Sequence, residues 1–373
     1  MTSECLSSSS LQPSGNAAIA HAHSGWAAQF GRDVLLPFLA TRAVLLLIAR
    51  VATRYFTSTG QPPTWLDLFS RFDQMWYLRV ASDGYFYSAS HESSIAFAPL
   101  LPILMRIIGF AFGSSDAAYL AAGVLISKLA LLVGLGFVHA IARDLYGDRA
   151  AKRAVLYILI CPGTLYLSNV YPMSLMLAIS AATIYLARRG RWELASAVGL
   201  LAPLTRCDGV LLLLPLVWEA ARSRRADPRF LWLLMIPATM AIWLAGQWLA
   251  LGTPLAFVHA QNIWAPSPFI TVLHSSRAPL ILGIAAVFIL LTMVGWFDLP
   301  STYSLYSTPF LLLMLSCAKL WSLPRFIVIL FPCFITLAVL GARWKWLHIL
   351  YVVTASLIAA TFALRVSLGL WVA

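Results

Sequence analysis

The residues of this chain best suited to chemistry gather in one stretch, Arg71-Phe72-Asp73-Gln74-Met75-Trp76-Tyr77-Leu78-Arg79-Val80-Ala81-Ser82-Asp83-Gly84-Tyr85. The spacing predicts a helix with Asp73, Trp76, Tyr77 and Val80 on one face, at offsets of 0, 3, 4 and 7 residues. A carboxylate beside aromatic rings suits a sugar. The carboxylate bonds or deprotonates a hydroxyl, and the rings cover an apolar sugar face. An amphipathic interfacial helix with Trp and Tyr at headgroup level has the same composition, so composition leaves both readings open. Arg206 and Arg325 form a second set, because guanidinium groups at membrane depth are functional by default; structural pairing or headgroup contact is their plain alternative. Arg71, His91, His259 and Gln261 are weaker candidates on the same side, each better accounted for by an ordinary structural hydrogen bond.

Composition sets the elements that must hold these groups. With 61% hydrophobic and 11% charged residues and a mean hydropathy of +0.82, the chain is built for a bilayer rather than for water. A hydrocarbon core of about 30 Å takes about 20 apolar residues per helix, which consumes most of the 373 residues and leaves no room for a large soluble domain. The fold expected is all-α, a polytopic integral membrane protein of about eleven transmembrane helices with a long first extracytoplasmic loop. Residues 1–33 read as a disordered cytoplasmic tail without a signal peptide, and residues 34–373 as one membrane-embedded domain with the loop at 55–116. His21 and His23 in the tail are assigned no metal. Cys5, Cys161, Cys207, Cys317 and Cys333 are odd in number and widely spaced, so they support neither a disulfide framework nor a zinc pattern.

The net charge of +12 lies in short runs between apolar segments rather than interleaved with exposed aromatics, which argues for topology and against a nucleic-acid partner. Three clusters stand out: Arg143, Arg149, Lys152 and Arg153; then Arg188, Arg189 and Arg191; then Arg222, Arg224, Arg225 and Arg229. By the positive-inside rule all are cytoplasmic. The chain between the first two must leave and return, turning outside at Ser168-Asn169-Val170-Tyr171-Pro172, so Tyr171 faces the outer side. Residues 192–221 are too few for two full spans, so a broken hairpin with its tip at Pro203 to Gly209 is expected. Spans are expected at 34–54, 117–141, 230–250, 278–297, 301–318, 325–341 and 347–365, with Gly252 to Arg277 and Lys319 to Arg325 outside. Ala96 to Ile108, interrupted by Pro99 and Pro102, reads as an interfacial or re-entrant helix. Arg42 and Arg50 are expected to snorkel to the cytoplasmic headgroups.

The pattern from Phe72 to Tyr85, followed by Ala96-Phe97-Ala98-Pro99-Leu100-Leu101-Pro102, resembles the first outer loop of the phosphatidylinositol-glycan class V mannosyltransferase family, which are C-type glycosyltransferases. The resemblance runs on through Tyr171 to Ser174, Leu204-Thr205-Arg206 with Gly209, Gly252 to Phe257 with Gln261 and Trp264, and Ser322-Leu323-Pro324-Arg325 before Phe331-Pro332. Phe72 stands where the family usually has Trp, Ala98 replaces an aromatic, Cys207 replaces a Pro, and Met173 occupies a position that is usually acidic.

This resemblance implies transfer of a sugar, most often mannose, from a polyprenyl- or dolichyl-phosphate donor to a lipid-linked or protein acceptor, with inversion at the anomeric carbon. No cofactor is implied, and a divalent metal is left open. Asp73 is then the general base, Trp76 and Tyr77 shape the sugar site, and Arg206 and Arg325 meet the donor phosphate. A secondary transporter and a catalytically silent partner subunit are the competing readings. Only four of the 26 basic residues are lysines and no Asn-x-Ser/Thr pattern occurs, which favours a bacterial cytoplasmic membrane over the endoplasmic reticulum.

Overall fold

Among the described residues apolar segments become helices and no strand occurs. The computed structural model describes residues 27–56, 72–88, 90–223, 227–253, 256–263, 274–316, 320–370 and 372. Among these residues five helices are long and apolar enough to cross a membrane: Ala27–Tyr55, Asp116–Ile160, Pro228–Leu251, Ala278–Asp298 and Lys345–Ser367. A sixth span arises if the bent pair Leu323–Ile329 and Phe331–Arg343 crosses once. Only 17% of the most apolar window of the first helix is buried, and an apolar surface of that extent is solvated by lipid. The protein is therefore an integral membrane protein. By length and composition five or six spans qualify among the described residues; the expected count of about eleven also takes in shorter apolar pieces such as Met173–Arg188 and the broken hairpin that begins at Trp192.

The first helix begins earlier than expected. Residues 27–33, read as tail, are helical because Asp33 is buried against Lys152 Nζ at 3.6 Å and His139 Nε2 at 3.5 Å. Asp116–Ile160 bends sharply at Gly147, whose φ of 78° is open to glycine and strained for side chains with a Cβ. The basic cluster around Arg149 and Lys152 lies at this corner, and the chain then returns toward the expected outer turn. The hairpin from 192 to 222 is broken as anticipated: helices Trp192–Gly199 and Leu201–Thr205, an extended Arg206, a tight turn Cys207–Leu212 and helix Leu213–Arg222.

Two expectations are corrected. The segment 325–341 is not one straight span, since Leu323–Ile329 meets Phe331–Arg343 at 81°. Pro332 cannot donate a backbone hydrogen bond, and the Ile329 carbonyl beside the bend is met by the Tyr306 hydroxyl at 3.0 Å. Arg42 does not snorkel. It is 5% exposed, and its guanidinium donates to the carbonyls of Leu159 (2.9 Å) and Thr164 (3.1 Å), to Thr164 Oγ1 (2.6 Å) and to Ser168 Oγ. These acceptors lie where a helix gives way to the turn Pro162–Leu167, so their carbonyls lack the partners a continuing helix would supply. Arg50 stays on the exposed face.

Removing the Arg42 guanidinium leaves those acceptors buried and unmet, at about 1–3 kcal/mol for each that finds no substitute. Arg42→Met should therefore lower the melting temperature of the detergent-solubilised protein by several degrees, roughly 2–4 °C per kcal/mol in a chain of some 150–250 residues and less in a larger one. Arg50→Met should leave it nearly unchanged. Equal melting temperatures for the two variants would restore snorkelling as the account of Arg42.

Candidate active site

The chain enters the helix Gln74–Asp83 through Phe72, whose φ of 58° is rare for a residue with a Cβ and is the kind of strain held at functional sites. Asp73 caps this helix by position, yet its side chain makes no capping bond. Its carboxylate turns away and accepts a hydrogen bond from Arg325 Nη1. Arg325 comes from the short helix Leu323–Phe326, which presses on the turn Pro162–Leu167. A Cβ on Gly163 would lie 2.0 Å from the Pro324 carbonyl oxygen, so only glycine permits this approach. The same turn continues to Tyr171, whose ring lies 5.7 Å from the Arg325 guanidinium carbon.

Arg206 stands at the broken tip of the hairpin. Its Nε and Nη2 fork onto the two oxygens of Asp208, at 2.9 and 2.5 Å, the planar match that guanidinium and carboxylate favour. The Phe326 ring lies under both guanidiniums, 4.5 Å from Arg206 and 4.9 Å from Arg325. Met173, where the resembled family carries an acid, puts its sulfur 3.8 Å from Arg206 Nη1. Asp208 supplies the carboxylate for Arg206 that residue 173 does not.

These groups face one cavity of about 670 Å³, which Asp73, Tyr77, Tyr171, Arg206, Gln261 and Arg325 help to line. It is walled by segments far apart in sequence, and all belong to stretches that the charge-derived topology puts outside. Burial, and then the nearby Asp73 carboxylate, push the Tyr77 and Tyr171 hydroxyls above the ordinary phenol range. Both are neutral donors at physiological pH. Tyr77 packs edge-on against Phe97, with ring centres 5.1 Å apart. Gln261 donates from Nε2 to the Ala96 carbonyl at 2.7 Å, pinning one wall.

Other candidates lie elsewhere. Trp76 stacks on Phe97, 5.7 Å between centres and 8° between planes, and is not among the cavity-lining residues, so its ring supports the wall rather than covering a sugar. His91 meets Ser90 Oγ at 2.9 Å and His259 meets the Tyr87 hydroxyl at 3.4 Å; both are exposed and outside the cavity. Arg71 and Trp264 lie outside the described residues. Sequence reasoning passed over Asp208 and Arg277, which also line the cavity. The signal for Asp208 was its place in the irregular hairpin tip, and for Arg277 its place immediately before the helix Ala278–Asp298, at an end that the charge pattern assigns to the outer side.

Fold and site together define a polytopic α-helical membrane protein with a charged cavity walled by segments far apart in sequence. No family model matches the chain. A curated protein, GPI mannosyltransferase 2 of Yarrowia lipolytica, is 27% identical over 197 residues, covering 51% of this chain and 52% of that protein. The oligosaccharyltransferase of Archaeoglobus fulgidus, in a crystal structure with zinc and sulfate, superposes with a TM-score of 0.50 at 12% identity over 88% of this chain and 53% of its own. ArnT of Cupriavidus metallidurans, bound to undecaprenyl phosphate, gives 0.49 at 16% identity over 89% and 75%. The chain thus spans about half the length of the curated relative and of the archaeal enzyme whose fold it shares.

Proposed function

We propose that this protein is a glycosyltransferase that takes a sugar, mannose by preference, from a polyprenyl- or dolichyl-phosphate donor on the extracytoplasmic side and passes it to a lipid-linked or protein acceptor. The observation that carries the reading is the charge lining the cavity. Among the described lining residues, three guanidiniums, Arg206, Arg277 and Arg325, stand beside two carboxylates, Asp73 and Asp208, which makes this wall net positive and suited to a phosphodiester. Asp73 lies beside it, placed to take the proton of an acceptor hydroxyl. The likeness to a GPI mannosyltransferase over half the chain supports mannose as the sugar. The reading assigns no cofactor a role, since carboxylate and guanidinium supply base and phosphate ligand. A bacterial cytoplasmic membrane fits the arginine-rich, lysine-poor composition, although the curated relative is from a yeast and lends that location no support.

The test is turnover. Purified protein given undecaprenyl-phosphate-mannose and a membrane lipid and peptide extract should produce a hexosylated molecule detectable by mass spectrometry, whereas GDP-mannose alone should give none. Turnover of GDP-mannose in a lipid-free assay would refute the donor. Sidedness is tested separately in a background stripped of native cysteines. Ser90→Cys should react with an impermeant thiol reagent applied from outside, and Ser223→Cys should not. The reverse labelling pattern would put the cavity on the cytoplasmic side.

A further inference from the structure

The cavity contains two arginine–aspartate pairs of different construction. Arg206 and Asp208 are two residues apart and joined by a two-bonded fork, and both side chains are nearly buried, at 11% and 7% exposure. Arg325 and Asp73 are 252 residues apart, come from two different segments, and meet through one nitrogen and one oxygen at somewhat greater exposure, 14% and 21%. A two-bonded fork between nearly buried partners gives up both bonds at once to separate. A single bond between two segments separates by a rotation of side chains. A second group waits beside the latter pair: the Tyr171 hydroxyl is buried, lines the cavity and has no hydrogen-bond partner among the described residues. A buried hydroxyl without a partner calls for an explanation, and a bound ligand is one.

We propose that the Arg325–Asp73 pair is an interlock, opened by the phosphodiester of the donor, which takes over Arg325 and accepts a hydrogen bond from the Tyr171 hydroxyl. The inference rests on the lipid-phosphate reading given above and adds to it an order of events. Without donor, Arg325 holds an oxygen of the base, and a lone pair occupied by a guanidinium is a poor proton acceptor. With donor bound, the phosphate oxygens satisfy Arg325, and Asp73 is free to rotate toward an acceptor hydroxyl. The acceptor oxygen then forms its bond to the anomeric carbon as its proton passes to Asp73. The bond from that carbon to the phosphate oxygen breaks, and its electron pair leaves with polyprenyl phosphate, still held by Arg325 and Tyr171. The other guanidinium, committed to Asp208, shapes the wall and does not exchange. The base is thus freed only when a lipid phosphate occupies Arg325.

Infrared difference spectroscopy on the purified full chain in nanodiscs tests this without any acceptor. Addition of undecaprenyl-phosphate-mannose should shift carboxylate stretching bands that are missing from the same experiment on Asp73→Asn. Undecaprenol, which has the chain and no phosphate, should produce no such shift. Tyr171→Phe should weaken donor binding about fivefold, the size of one ordinary hydrogen bond, while the band shift persists at saturation. In Arg325→Gln the Asp73 bands should already lie at the donor-bound position before ligand is added. Donor binding that leaves the Asp73 bands unmoved would overturn the interlock and spare the functional reading. Failure of the donor to bind at all would overturn both.

Discussion

Asp73→Asn should lower sugar transfer by about 10²- to 10⁴-fold, the usual worth of general-base assistance, while leaving expression and membrane insertion unchanged. An alcohol is barely ionised at neutral pH and loses its proton as the new bond forms, so a positioned acceptor is needed. Asparagine keeps the size of the side chain and an oxygen for Arg325, but it cannot take up that proton. The helix Gln74–Asp83 does not depend on the carboxylate, because Asp73 makes no capping bond with it. The loss therefore belongs in kcat, with donor affinity within a few-fold of the parent. If Asp73 were an interfacial carboxylate with no part in the chemistry, turnover would be near normal, since substitutions away from special features change stability by only about 0.5 kcal/mol. Parental turnover at saturating donor would remove Asp73 from the reaction, and Asp208, the other carboxylate lining the cavity, would be next to replace.

Arg325→Met should act on the opposite kinetic constant. A hydrogen bond to a charged group is worth about 1.5–3 kcal/mol, so losing the guanidinium should lower kcat/KM for the donor by about 10- to 10²-fold, chiefly through KM. Methionine retains much of the side chain's packing against Phe326 and Tyr171. The carboxylate left behind is 21% exposed and can hydrate from the cavity, so the melting temperature should fall far less than a fully buried orphan charge would require. A variant that melts early with an unchanged donor KM would make Arg325 a structural partner of Asp73 and nothing more. Guanidinium in the assay buffer should restore part of the rate lost in Arg325→Ala, which vacates the space, if the site takes a phosphate.

Much of the architecture was legible because the bilayer imposes it. Apolar runs of about 20 residues have few alternatives to helix in lipid, and arginine clusters between them report which ends stay in the cytoplasm. The break at Pro203 to Gly209 followed from counting, since 192–221 is too short for two crossings. The face holding Asp73 and Tyr77 followed from helical periodicity, and the charge count assigned Arg206 and Arg325 to the same side as that face.

Tertiary structure alone decided which of these groups meet. Asp73 and Arg325 are 252 residues apart, and nothing local in either segment encodes their contact. It depends on Gly163 admitting the Pro324 carbonyl, a steric fact about two surfaces rather than a property of either sequence. Trp76 and Tyr77 look alike to periodicity, yet one stacks on Phe97 behind the wall and the other lines the cavity, because the direction of a side chain is set by the neighbour it packs against. Arg42 could not be separated in advance from Arg50. Both are arginines in one apolar helix, and only the Pro162–Leu167 turn, with carbonyls in need of donors, draws one of them into the protein and leaves the other facing out.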